Sequence, residues 1–277
     1  MYMEKKKDKN ITKKNNYKLV FKKEIPALNL RKDILEKVTL ITSKMNEFPE
    51  ILDIKDNIVL IPYYKGLDGR ILLFLPFSLR KIGKIMKKFH ILGKIPYEDS
   101  KYVEKLKFYL EKVFVNLPAQ LVDEYHLILN NLINHKNSYV TVLHNDFTFR
   151  NFLVTWQGFK IVDFEGFFHP KFPNPFFNFF DLGIFLLNLL SFYKFLPIFN
   201  KTYMKKSINQ FLEGYNVDLF YAYSAFKIVG IFHYFGIFID RPILKIYAHK
   251  RNFKVFKNIL EDFLFKNKGI LIEIFSK

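Results

Sequence analysis

Along the chain the spacing of apolar residues changes period several times, and each change marks an element. From Lys9 to Lys23 short apolar runs flank Asn15–Asn16, a pair that tolerates the left-handed backbone of a tight turn. Two hairpin strands are expected there, the second within YKLVFKK. After Pro26 the period lengthens. Leu30, Ile34, Val38, Ile41 and Met45 fall on one helical face, with Asn29 placed to cap it. PEILDI and NIVLIPYY then read as short strands separated by Lys55–Asp56, and the glycines of KGLDG end the region.

Beyond Gly69 the pattern is mainly helical. Ser78 is placed to cap a helix through Phe89, Ser100 another through about Val115, and Pro118 opens a third reaching Ile133. YVTVL follows as a strand, then a hairpin, FLVTW and FKIVDF, turning at Gln157–Gly158. Residues 176–193 and 218–239 are strongly apolar, yet Asp181 interrupts the first and Lys227 and His233 the second. Buried core helices are therefore expected, and no transmembrane segment.

Composition changes this picture little. With half of its 277 residues hydrophobic the chain can bury a large core, and the absence of cysteine excludes disulfides, thiolate metal sites and cysteine nucleophiles. The basic N-terminus, MYMEKKKDKN, lacks the apolar run of a secretory signal, so a cytoplasmic location is expected. The formal charge of +18 has two readings. It suits an anionic partner such as nucleic acid, but lysine, asparagine, isoleucine and phenylalanine are abundant throughout, as an AT-rich coding sequence would give, and the charge is scattered.

The candidate chemistry lies in HNDFTFRNFLVTWQGFKIVDFEG, residues 144 to 166. Asp146 and Asn151 share the loop after YVTVL, and Asp163 follows the second hairpin strand, so an oxygen-only trio is expected at one end of a small sheet. Oxygen donors suit magnesium, which is commonly held by one or two carboxylates together with substrate phosphates. Asp146 is then the carboxylate left to orient a hydroxyl and take its proton, while Asn151 and Asp163 hold the metal.

The arrangement H-x-D-x-x-x-x-N followed by a strand ending in D-F resembles the catalytic and metal loops of the protein-kinase-like superfamily. More narrowly, Asn145 after the histidine and Asp163–Phe164–Glu165 in the second loop resemble the aminoglycoside phosphotransferase and choline kinase branch. That resemblance implies an α+β, two-lobed fold: a small sheet lobe at 1–62, a hinge at 63–69 and a helical lobe at 70–277. It implies Lys22 of LVFK as the ATP-phosphate lysine, with Lys23 as a register alternative on the opposite face, and Glu36 as its partner. Ile61 and Tyr63 fall where the hinge would meet adenine, His144 becomes an orienting residue, and Asp181 braces the catalytic loop. Glu165 is either a second-metal contact or solvent-facing. The first glycine of the chain is Gly66, so the glycine-rich phosphate loop of protein kinases is absent, which favours the small-molecule branch.

The activity implied is ATP- and Mg2+-dependent phosphoryl transfer to a hydroxyl of a small molecule, sugar or lipid headgroup. A RIO-like serine/threonine protein kinase and a kinase-fold binding module without turnover remain as alternatives. Lys194, Lys201, Lys205 and Lys206 follow the Asp181 helix, which favours a neutral or anionic acceptor, with aromatic residues of the Phe167–Phe180 region as a pocket wall.

Overall fold

The computed structural model describes residues 11–14, 18–21, 32–55, 58–62, 64–75, 77–96, 99–163, 167, 174–195, 201–235 and 252–275. Lys22, Lys23, Tyr63, Phe164 and Glu165 lie outside them. The expected hairpin is formed by β1 (Ile11–Lys14) and β2 (Lys18–Phe21). With β3 (Asp53–Lys55) and β4 (Ile58–Pro62) it makes an antiparallel sheet in the order β1-β2-β4-β3. The pairing of Leu19 with Ile61 places the end of β4 beside β2, and Ile61 is buried.

Helix α1 (Lys32–Lys44) buries Ile34, Val38 and Ile41, the face that the spacing predicts. Strand β3 starts later than PEILDI suggests. Phe48 and Pro49 are drawn into the core at the exit of α1, where Phe48 stacks on Phe89 at 5.3 Å, so this stretch packs and only Asp53 onward pairs.

The connector after β4 contains β5 (Leu67–Asp68), which pairs with β7 (Phe152–Thr155) of the predicted hairpin, and β7 pairs with β8 (Gly158–Ile161). Glycine is required at this crossing. A Cβ on Gly69 would lie 2.4 Å from the Phe152 Cβ and 2.5 Å from the Phe149 carbonyl oxygen.

The helices that follow are α2 (Ser78–Leu92), α3 (Asp99–Phe114) and α4 (Ala119–Ile133), close to the expected spans. Ser78 does not cap α2. The cap position is Phe77, at φ 62°, and the Ser78 hydroxyl instead donates back to the carbonyls of Leu72 and Leu75. The short strands β6 (Val140–Thr141) and β9 (Phe176–Phe177) pair beside the catalytic hairpin. Then come α5 (Phe179–Phe195), α6 (Lys201–Tyr215), α7 (Leu219–Phe235), α8 (Asn252–Lys266) and α9 (Ile270–Phe275).

Helix α2 packs on α6, and α5 on α7. The two apolar helices, α5 and α7, are core helices. Among the described residues no helix is long and apolar enough to cross a membrane. Lys227 in α7 is fully buried and compensated: its ammonium donates to Glu124 of α4 and to Asn267, whose amide also donates to Glu124 at 2.8 Å. Burial lowers its pKa and Glu124 opposes the shift.

His233 of α7 is buried and its Nδ1 has no partner among the described residues. Burial depresses its pKa to about 4. The unfolded chain, with an ordinary histidine near 6.5, therefore binds more protons between these values, and stability falls as the pH falls. His233→Leu is expected to remove about 3 kcal/mol of the stability difference between pH 7 and pH 4. Urea unfolding of both proteins across that range measures it; parallel curves would contradict the assignment.

Candidate active site

The candidate catalytic loop is built around one buried carboxylate. Asp181 stands in the first turn of α5, where the helix N-terminus favours negative charge, and is fully buried. Its Oδ2 accepts from the His144 amide at 2.7 Å and its Oδ1 from the Asn145 amide at 2.8 Å. Two successive amides converge on one carboxylate because Asn145 adopts φ 61°, a left-handed conformation that asparagine tolerates better than most residues. The same Oδ2 lies 3.1 Å from Nε2 of His90.

His90, on α2, lies in the buried chain of polar contacts behind the loop. Its Nδ1 is 2.7 Å from the Tyr215 hydroxyl; Tyr215 in turn accepts from the Asn178 amide at 3.0 Å. Asn178 Oδ1 also takes the Tyr221 hydroxyl and the Tyr139 amide. Burial pushes the His90 pKa down, and Asp181 only partly restores it, so the imidazole is neutral near pH 7. Burial holds the Tyr215 and Tyr221 hydroxyls protonated. A second amide side chain fixes the loop's entry: Asn174 accepts from the Leu143 amide at 2.9 Å and donates to the carbonyls of Leu143 and Phe167.

Backbone hydrogen bonds set the residues of the expected trio. Val162 donates to the Asn151 carbonyl at 2.9 Å, extending the β7–β8 pairing by one step beyond Phe152↔Ile161, so Asp163 follows the residue that faces Asn151. The Asn151 side-chain Nδ2 donates to the Asp146 carbonyl at 2.7 Å, and the Thr148 backbone amide donates to the same oxygen at 2.8 Å. This loop is thus closed on itself between Asp146 and Asn151. Asn151 is nearly buried, while Asp146 and Asp163 are half-buried.

His144 is fully buried among Phe48, Phe89, Phe147 and Phe167, with ring centroids 5.0 to 6.4 Å apart. Neither ring nitrogen has a partner among the described residues. The small sheet is joined to this region by backbone contacts as well. The Ile161 amide donates to the Glu47 carbonyl at 2.8 Å, and the Lys160 ammonium donates to the Asn46 carbonyl, both just after α1.

Glu36 is exposed on α1; its expected partner Lys22 lies outside the described residues. Of the pocket wall foreseen at Phe167–Phe180, Phe167, Phe176, Phe177, Phe179 and Phe180 are core residues, buried against neighbours such as Phe232 at 5.7 Å, while Phe168 and Phe172 lie outside the described residues. The lysines of α6 also lie elsewhere. Lys201, Lys205 and Lys206 line a groove with Phe77 and Arg80, and none of the catalytic-loop residues borders it. The charge argument for the acceptor loses these three.

The spacing argument missed His90, Asn174, Asn178 and Tyr215. The one visible signal is a lone histidine directly after the expected end of an apolar helical run, because a buried imidazole needs a polar partner. Asp181→Ala would strand two buried amides and the His90 ring, and is expected to cost about 3–5 kcal/mol. The urea midpoint measures this; a loss below about 1 kcal/mol would show that water replaces the carboxylate.

No family model matches the sequence, and no curated protein matches it. Solved structures do share its fold. A glucosamine kinase in complex with glucosamine, ADP and inorganic phosphate is 13% identical, with a TM-score of 0.60 over 96% of this chain and 80% of that one. A choline/ethanolamine kinase family protein from Mesorhizobium loti is 16% identical, with a TM-score of 0.53 over 90% and 84%. An amicoumacin kinase in complex with AMP-PNP and Ca2+ is 13% identical, with a TM-score of 0.54 over 95% and 90%. The chain shares the α+β, two-lobed fold of these kinase structures.

Proposed function

We propose that this chain is an ATP- and Mg2+-dependent kinase that transfers the γ-phosphoryl group to a hydroxyl of a small molecule. The observation that carries the reading is the closed loop from Asp146 to Asn151 with Asp163 beside it, since it brings a carboxylate, an amide and a second carboxylate to one end of the hairpin. The fold's neighbours include kinases crystallised with ADP and with AMP-PNP and Ca2+, which supports the nucleotide and the divalent cation.

The donor set fits magnesium. With Nδ2 of Asn151 committed to the Asp146 carbonyl, its Oδ1 would be left to hold the ion, and Asp163 would supply a carboxylate. A bound metal would neutralise phosphate charge. Asp146 then accepts the proton of the acceptor hydroxyl as its oxygen attacks the γ-phosphorus and the bond to the ADP oxygen breaks. Asp181 and His90 do not touch the reactants; they hold the backbone from which Asp146 projects.

Residues 1–62 are assigned as the nucleotide-covering lobe, 63–69 as the hinge and 70–277 as the helical lobe. Lys22 is assigned to the phosphates with Glu36 as its partner, and Ile61 and Tyr63 to the adenine.

Asp146→Asn is expected to lower turnover by about 10²–10⁴ while leaving binding of magnesium nucleotide nearly intact. Asp163→Asn should weaken both. Single-turnover assays and nucleotide titration separate the two, after ATP consumption has been screened over amines, sugars, nucleosides and anionic alcohols with a generic protein as control. Wild-type turnover by the Asp146 variant would remove the base role, and phosphorylation of the protein alone would favour the protein-kinase alternative. Lys22→Met is expected to reduce activity far more than Lys23→Met; equal losses would overturn the register.

A further inference from the structure

The turn end of the β7–β8 hairpin and the segment leading into α2 expose a set of large apolar side chains. Trp156 at the hairpin turn is 90% exposed, Phe77 is 70% exposed and Leu67, opposite Val154 in the β5–β7 pairing, is 62% exposed. Phe74 and Leu75 are also exposed. Leu75 and Phe77 share a groove of about 560 Å³ with Val154, Gly158 and Phe159 of the hairpin; Leu67 pairs with Val154 across the strands, and Trp156 follows Val154 by two residues at the turn.

Phe77 adds a second observation. It adopts φ 62°, a conformation costly for a bulky residue, and yet its ring gains little burial in return. A side chain held outward at such a cost is explained by what it meets outside the chain.

Cations border the same surface. Arg80, Lys81 and Lys84 of α2 line the apolar groove. A second groove of about 650 Å³, which shares Phe77 and Arg80, adds Lys201, Lys205 and Lys206 of α6. Glu213, 3.8 Å from Arg80, and Glu273, paired with Lys201, offset only part of this charge.

We propose that this face is a peripheral docking site for an anionic phospholipid membrane. Aromatic tips above aliphatic side chains, flanked by lysines, match the interfacial layer, where the rings sit at headgroup level and the ammonium groups meet lipid phosphates. A nucleic acid would use the cations and stack on the rings, but would leave Leu67 and Leu75 without an apolar partner. The formal charge of +18 on the whole chain strengthens the attraction and orients the approach.

The two ends of one hairpin would then have separate tasks. Asn151 and Asp163 stand at its open end and Trp156 at its turn, roughly 17 Å away along the strand, so the turn can meet a surface without the open end doing so.

The chain contains a single tryptophan, so its fluorescence reads the contact directly. Vesicles of phosphatidylcholine with phosphatidylglycerol are expected to shift Trp156 emission to the blue and to co-sediment the full-length protein, whereas pure phosphatidylcholine should do neither. Raised salt should weaken binding. Lys81→Gln and Lys84→Gln, both on exposed positions, should each reduce partitioning about fivefold, and Phe77→Ser should reduce it further with the urea midpoint unchanged or raised. No blue shift with anionic vesicles at low salt would overturn the proposal. So would a shift produced by duplex DNA and not by vesicles, or vesicle binding indifferent to all three substitutions.

Discussion

The carboxylate of Asp181 is the interaction on which the rest of the site depends. It neutralises nothing with a formal charge; it satisfies two backbone amides and one imidazole in a place that water does not reach. Without it the left-handed step at Asn145 would leave buried donors stranded, and the loop that carries Asp146 would have no reason to turn there. Helix α5 can supply it because the residue falls in the helix's first turn, where the peptide dipoles favour an anion and so offset part of its desolvation.

Around that carboxylate, polar side chains and phenylalanines divide the task. Asn174, Asn178, Tyr215 and His90 provide directional contacts that fix position, whereas Phe89, Phe147 and Phe167 fill the volume around His144. The chain has 34 phenylalanines and few small residues in this region, so close packing is achieved by tilted and edge-on rings. Glycine is needed where two backbones cross too closely for any ring, as at Gly69.

Much of the architecture was legible from periodicity, since a helical or two-residue repeat of apolar positions states which face will be buried. The helices α3 and α4 came close to their expected limits, and the hairpin from Phe152 to Ile161 fell where its turn residues placed it. What failed was local and had physical causes. Ser78 reads as a cap, but nearby carbonyls offered its hydroxyl a donor role, and Phe77 took the cap position. The aromatic run after Phe167 reads as a ligand wall, yet its described rings had core partners to meet. The pairing behind the loop was not legible: His90, which meets Asp181, and Tyr215, which meets His90, lie 91 residues before and 34 after Asp181, and no repeat in sequence signals so distant a contact.

The bond from the Ile161 amide to the Glu47 carbonyl constrains how the molecule can move. It ties the end of α1 to the strand that leads directly to Asp163, and Phe48 is wedged on Phe89 one residue later. The small sheet cannot slide across the helical part without breaking a buried backbone contact and unseating that ring. A rotation of the sheet about the Glu47 end of α1 would keep both contacts, whereas a translation would break them.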